Sequence, residues 1–176
     1  MGFLSELELS KIKGHIGDNV LISDKCSIYT NTLVIGNNVR IDDYCILSGS
    51  ITLGSNIHIG AYCGLYGKMG IFMRDYTGLS PRCTIFSASD DFGGDYLISP
   101  MNPEEYTNVT GGLVLMSEFS QIGAGTVIMP DIIIGEGSAI GAMSFVKHDT
   151  PEWEIWAGNP LKFIKTRKRG LLRWIK

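Results

Sequence analysis

Aliphatic residues recur every six positions along most of this chain, and a small or β-branched residue stands four places after each. From Ile16 the hexads read IGDNVL, ISDKCS and IYTNTL. After one extra residue, Val34, they continue as IGNNVR, IDDYCI and LSGSIT, then LGSNIH, IGAYCG and LYGKMG. The frame shifts by two at Ile71 and Phe72 and resumes as MRDYTG, LSPRCT and IFSASD. After a gap it returns from Met116 as MSEFSQ, IGAGTV, IMPDII, IGEGSA and IGAMSF, with Val146 in the next aliphatic place. Six residues do not close whole turns of an α-helix at about 3.6 residues per turn. A flat sheet has nothing that imposes such a period. A three-sided coil does. Each side is a short strand, each corner a turn, and three hexads make one circuit. The aliphatic residue and the residue four later point inward. Gly and Asn at the corners supply the positive φ that tight turns need. Each strand then pairs in parallel with the strand one circuit away. The spacing therefore predicts an all-β parallel β-helix. A β-sandwich with many turns would not hold so regular a period.

The cysteines test this register. Cys26, Cys45, Cys63 and Cys83 take the same inward place in their hexads, at separations of 19, 18 and 20 residues. One circuit of three hexads plus the slips accounts for all three intervals. The thiols are expected to stack in one internal column, one per coil, as small buried hydrophobes. Parallel side chains in a packed column argue against disulfides. Ligands in a line, rather than around a point, argue against a metal.

Composition narrows the class. The charged fraction of the 176 residues is 19%, low for a small monomer, which points to surface buried against other subunits. The net charge of −3 excludes nucleic acid as an obvious partner. No apolar run reaches the roughly 18 residues of a membrane span. The stretch from Met1 to Lys13 has no long apolar core, so no signal peptide is read there and a cytoplasmic protein is the default.

The repeat fails between Ser87 and Leu113, in ASDDFGGDYLISPMNPEEYTNVTGG. A loop this long within a compact fold is usually functional. It holds Asp90, Asp91, Asp95, Glu104 and Glu105 beside Tyr96 and Tyr106. Acids and rings together suit a sugar, whose faces stack and whose hydroxyls need acceptors. The basic run KFIKTRKRGLLRWIK at the end reads as a short amphipathic helix capping the coil. The organisation is thus a β-helix domain over 1–164, with an inserted active-site loop at 88–112, and a C-terminal capping helix over 165–176.

The run AGNPLKFI, Ala157 to Ile164, resembles the closing segment of hexapeptide-repeat acetyltransferases such as galactoside and maltose O-acetyltransferases. With the hexads, the resemblance covers roughly residues 16 to 168. The loop sequences SASDDF and PEEYTNV look like those of acetyltransferases from bacterial surface-polysaccharide clusters. This resemblance implies a left-handed coil, against the usual right-handed crossover. It implies a homotrimer with active sites between subunits. It implies acetyl-CoA as co-substrate and transfer to a sugar hydroxyl of a small molecule or glycan in a ternary complex. By the same resemblance, Ala124 in QIGAG and Ala142 in IGAMS flank the pantetheine arm, and Lys147 and Lys162 neutralise the cofactor's phosphates. Hexapeptide proteins that bind zinc need three His; His15, His58 and His148 show no paired spacing, so no metal is expected.

A hydroxyl needs a base to take its proton. In the galactoside and maltose enzymes that base is a His at the start of the long loop, and Asp90 stands at that place here. Three readings follow. Asp90 is itself the base. Or His58 is the base, paired with Asp90 of an adjacent subunit. Or the acceptor is the amine of a nucleotide-linked amino sugar, for which a dedicated base matters less. A non-catalytic β-helix scaffold is the remaining alternative, and the AGNPLK segment argues against it.

Overall fold

The computed structural model describes residues 2–175. Short strands climb the molecule, each paired in parallel with the strand one circuit away. An eight-stranded ladder starts with Val20–Ile22, Val39–Ile41, Ile57–Ile59 and Gly78–Leu79. Its register is the repeat itself: Val39 faces Ile57, Arg40 faces His58 and Ile41 faces Ile59. A nine-stranded ladder forms the rest of the wall. In the early coils its members are long: Ser27–Ile35, Ile46–Leu53 and Gly64–Met73. In the later coils the same wall divides. Thr84–Phe86 stacks on Val127–Ile128, and Val114–Met116 on Ile133–Ile134.

The aliphatic columns are buried from Ile22 to Val146. Both slips, however, fall inside long strands rather than after a completed hexad. Tyr29 pairs with Ser48 but Thr32 with Ser50, so the extra residue lies between Tyr29 and Thr32. Leu33, not Thr32, is the buried residue. Gly67 pairs with Gly49 and Ile71 with Ile51, so the second slip lies between Gly67 and Ile71. Ile71 is buried and Met69 is exposed. A bulge absorbs extra residues without breaking the ladder. The inward place then goes to the side chain that gains most from burial.

The corners depart from a Gly and Asn rule. One corner carries Asn19, Asn38 and Asn56 at φ near +60°, and then Tyr76, Phe119, Gly137 and Trp153. The asparagines form a ladder, with Asn19 Nδ2 donating to Asn38 Oδ1 at 3.0 Å and Asn38 Nδ2 to Asn56 Oδ1 at 3.2 Å. The next corner carries Tyr44, Tyr62, Arg82, Gly125 and Met143, all with positive φ. A non-glycine residue in this region costs about 1–2 kcal/mol. Stacking offsets part of that cost, at about 0.5–1.5 kcal/mol per pair. Tyr44 lies 5.0 Å from Tyr62, and Tyr76 lies 5.2 Å from Phe119.

The four cysteines do stack, with free thiols, but they act as donors as well as fillers. Cys26, Cys45, Cys63 and Cys83 donate to the carbonyls of Asp42, Gly60, Ser80 and Gly123, at 3.1 to 3.3 Å. Thr126 and Ser144 continue the column and donate to Gly141 O. These turn carbonyls lie against the core, where an unmet acceptor is costly. The place therefore selects a small S–H or O–H side chain.

The chain end differs from the capping helix expected over 165–176. Lys162–Thr166 is a strand, antiparallel to Glu154–Ala157, and only Gly170–Trp174 is helical, as an exposed 3-10 turn. The last coil leaves an open sheet edge, and the returning strand supplies its backbone partners. Arg167 fixes the turnback: its guanidinium donates to Phe119 O at 2.9 Å and Gly137 O at 2.8 Å, and its N–H to Trp153 O at 2.7 Å.

Candidate active site

The interruption of the repeat is an ordered loop. Ala88–Ser89 and Thr110–Gly111 pair antiparallel and close its neck. Inside it, the Asp91 carboxylate accepts from the N–H groups of Gly93, Asp95 and Tyr96, at 2.7 to 2.9 Å. The bond from Gly93 is the foremost of the contacts that hold this carboxyl below its ordinary value. Asp91 thus organises the loop tip and has its acceptor capacity spent on backbone. Asp90, its neighbour, keeps its carboxylate for other use.

Asp90 lines a cavity of about 1080 Å³ between this loop and the long-strand wall. The wall contributes Tyr29, Ser48, Gly49, Tyr66, Lys68 and Phe86. The loop contributes Ser89, Asp90, Phe92 and Glu104, among others. Tyr66 and Phe86 stack at 5.2 Å and 11° between ring planes. The volume is large enough for an extended ligand rather than a monosaccharide alone. Rings, one cation and two carboxylates around one space can bind a flat group, an anionic group and an amine or hydroxyl together.

His58 lies elsewhere. It sits on Ile57–Ile59 of the eight-stranded ladder, and its Nε2 is 2.8 Å from Asp42 Oδ2. Arg40 Nε donates to the other oxygen, Oδ1, at 2.7 Å. Within the chain, His58 therefore has Asp42 as its carboxylate and does not meet Asp90. Partial burial pushes the Asp42 carboxyl up, but the bonds from Arg40 and His58 outweigh it and hold it below the ordinary value.

The four residues expected beside a cofactor lie on the C-terminal coils. Met143 N–H donates to Ala124 O at 2.8 Å, which puts Ala124 beside the Ala142 turn one coil on. A Cβ on Gly141 would lie 2.8 Å from that of Ala157, and Ala157 pairs with Lys162. Ala124, Ala142, Ala157 and Lys162 thus follow one another up the coils. Lys147 is exposed on a neighbouring stretch, and the adjacent His148 packs its ring edge-on against Trp156 at 5.7 Å. Among the described residues no group of three or more His, Cys, Asp or Glu could hold a metal ion.

Sequence reasoning missed Tyr29, Ser48, Tyr66, Lys68 and Phe86. The signal was present: the hexads IYTNTL, LSGSIT, LYGKMG and IFSASD form one side of successive coils, and their second positions face outward in one row.

A three-sided parallel coil with one long loop over a ring-lined cavity defines a hexapeptide-type transferase. Residues 32–67 and 115–148 match the family described as "Bacterial transferase hexapeptide (six repeats)". The chain is 40% identical over 177 residues to the dTDP-4-amino-4,6-dideoxy-D-glucose acyltransferase of Escherichia coli, covering 98% of this chain and 92% of that one. It is 47% identical to AntD, an N-acyltransferase from Bacillus cereus. A serine-to-cysteine variant of AntD, solved with dTDP-4-amino-4,6-dideoxyglucose and coenzyme A, superposes with a TM-score of 0.92 over 98% of this chain and 94% of that chain. A maltose O-acetyltransferase from Clostridium difficile is more distant, at 25% identity and a TM-score of 0.58 over 82% of this chain and 72% of that chain. The chain belongs to the hexapeptide-repeat acyltransferases, and its coil is the left-handed β-helix of that family.

Proposed function

We propose that the protein transfers an acyl group from acyl-coenzyme A to the amino group of a dTDP-linked 4-amino-4,6-dideoxy sugar. The sequence placed a sugar hydroxyl first and an amino sugar nucleotide second; the second reading is now preferred. What carries it is the near full-length likeness to an acyltransferase named for that amino sugar, at 40% identity, and to an N-acyltransferase solved with it bound, at 47%. The site agrees with an amine. It holds a carboxylate, Asp90, and among the described residues of this chain no histidine lines the cavity. An ammonium is drawn to a carboxylate, and an amine is a competent nucleophile once it has lost one proton.

In this reading Asp90 receives that proton and orients the nitrogen. The nitrogen lone pair attacks the thioester carbonyl, the C–N bond forms, and the tetrahedral oxyanion collapses with loss of the C–S bond, the departing sulfur taking the second proton that the nitrogen gives up. The products are the amide and coenzyme A thiol. Ala124 and Ala142 let the pantetheine arm approach backbone, and Lys147 and Lys162 face its phosphates. The assembly is a homotrimer, with the cofactor cleft lying between copies. No helix among the described residues is long and apolar enough to cross a membrane. We place the reaction in the cytoplasm.

The test is turnover with dTDP-4-amino-4,6-dideoxyglucose and acetyl-CoA, followed by thiol release and product mass before and after mild alkali. An amide survives alkali; an ester is hydrolysed. No thiol release with this acceptor, or an alkali-labile product, would sink the proposal. Asp90→Asn should lower kcat at least about tenfold, within the usual range for loss of an acid–base group. His58→Gln should change it less than about threefold, because its partner is Asp42. The reverse ranking would move the base assignment to His58.

A further inference from the structure

Charge is divided sharply along this chain. The last fifteen residues, 162–176, carry seven Lys or Arg and no Asp or Glu. The rest of the chain carries eight Lys or Arg against all 18 acids. So strong an asymmetry points to an anionic partner for the basic end. A basic tail on an acidic body has partners at hand, yet among the described residues no tail cation forms a salt bridge. Arg167 is spent on corner carbonyls, and Lys162 faces the cofactor phosphates in the reading above. Lys165, Lys168, Arg169 and Arg173 remain, all exposed.

The same segment leaves Phe163, Ile164, Leu172, Trp174 and Ile175 exposed, Trp174 by 73%. No residue of the Gly170–Trp174 turn is buried. Arg173 lies over the Trp174 ring at 4.8 Å, and Arg169 over Trp153 at 5.0 Å. Cations and apolar side chains thus share one surface. Lysines that only guard a sheet edge need no exposed Trp beside them. A small phosphorylated ligand or a nucleic acid would engage the cations but give Leu172 and Ile175 nothing apolar to enter. An anionic bilayer takes both, with headgroups for the cations and the acyl boundary for the apolar side chains. The location agrees. Lys162–Thr166 is the last strand of the eight-stranded ladder, and Val20–Ile22 is at the opposite end. At about 4.8 Å per strand these ends lie more than about 30 Å apart, against a Debye length of about 8 Å. The acids of the first coils therefore do not repel a surface that meets the tail.

We propose that the C-terminal end of the coil docks on an anionic phospholipid surface, through Lys165, Lys168, Arg169 and Arg173 and with Leu172, Trp174 and Ile175 entering the interface. The contact is peripheral and reversible, since a few apolar side chains hold a membrane only together with a basic patch. It does not depend on which acceptor the enzyme acylates. In the homotrimer proposed above, a three-fold axis sets the three tails at one level along it, so that all three meet one surface together.

The experiment is co-sedimentation of the full chain with vesicles of equal parts phosphatidylglycerol and phosphatidylcholine, and with vesicles of phosphatidylcholine alone. Wild type should pellet with the first and stay in solution with the second, and added salt should release it. Each Lys or Arg near such a surface contributes roughly a fivefold change in binding, so Lys165→Gln, Lys168→Gln and Arg173→Gln together should weaken it at least about tenfold. Trp174→Ala should weaken it at least about threefold. Both variants should melt at the wild-type temperature, which separates loss of the surface from loss of the fold. Tryptophan emission should shift to the blue on the anionic vesicles, and Trp174→Phe should abolish the shift, because Trp153 is already buried. Wild type that pellets equally with both vesicles, or with neither, overturns the proposal. So does binding to a single-stranded oligonucleotide without binding to vesicles, and so does release from vesicles by coenzyme A, which would give the cations to the cofactor. Failure on any of these counts leaves the acyl-transfer reading standing, since that is tested by turnover in solution.

Discussion

Nε2 of His58 lies 2.8 Å from Oδ2 of Asp42, whose other oxygen takes the Arg40 Nε–H at 2.7 Å. One carboxylate thus holds a guanidinium of its own coil and an imidazole of the next on the outer face of the eight-stranded ladder. The imidazole is held to its own chain, away from the cavity that Asp90 lines.

This cluster makes acid stability testable. Arg40 and His58 outweigh burial at Asp42, so its folded pKa lies below its unfolded one. A depressed carboxylate stabilises the fold fully above its unfolded value, about 3.9, and loses that contribution as pH falls through the folded value. Asp42→Asn should therefore lower Tm near neutrality and flatten its decline below about pH 4. Melting curves at a series of pH values check this. An acid limb as steep as that of wild type would refute it.

Arg167 bonds two corner carbonyls, Phe119 O and Gly137 O, through one guanidinium nitrogen. Charged hydrogen bonds of this kind are worth about 1.5–3 kcal/mol. At about 2–4 °C per kcal/mol for a chain of this size, Arg167→Ala should lower Tm by several degrees. Hydrogen exchange should quicken first in Lys162–Thr166, the strand it anchors. Unchanged protection in that strand would show that the pairing alone holds it.

The thiol column separates donation from packing. Cys83 is fully buried and donates to Gly123 O. Cys83→Ser keeps a donor of the kind Thr126 and Ser144 already provide. Cys83→Val keeps an apolar filler and leaves the carbonyl unmet, at about 1–3 kcal/mol. Denaturant midpoints should therefore rank wild type first, then serine, then valine. Valine equal to or above serine would show that the column needs only an apolar filler.

Gly137 has φ +62°, and a Cβ there would lie 2.5 Å from the Trp153 ring. Gly137→Ala must shift a buried indole as well as bear the backbone cost. A loss of about 2–4 kcal/mol is expected in equilibrium unfolding. Gly94, also at positive φ but with nothing within 4 Å of an added Cβ, is the control and should lose less. Equal losses would mean that the backbone term dominates.

Much of the architecture was legible in the chain itself. An aliphatic residue every six places, as from Ile35 to Ile41 to Leu47, states its period and its inward face. Cys26, Cys45, Cys63 and Cys83 state which residues share a column. Both follow from local spacing, since burial of one side chain per strand repeats with the coil. Where the slips fall was not legible, because Leu33 against Thr32 and Ile71 against Met69 are settled by which residue the neighbouring coils can bury. The partner of His58 was not legible either: Asp42 reaches it only because the ladder stacks Arg40 beside His58. The terminal strand Lys162–Thr166 reads as helix from its amphipathic pattern, and an open sheet edge decides otherwise. The cavity belongs wholly to tertiary structure. Tyr29, Ser48, Tyr66 and Phe86 are 19, 18 and 20 residues apart, and only the winding of the coil sets them in one row beneath Asp90.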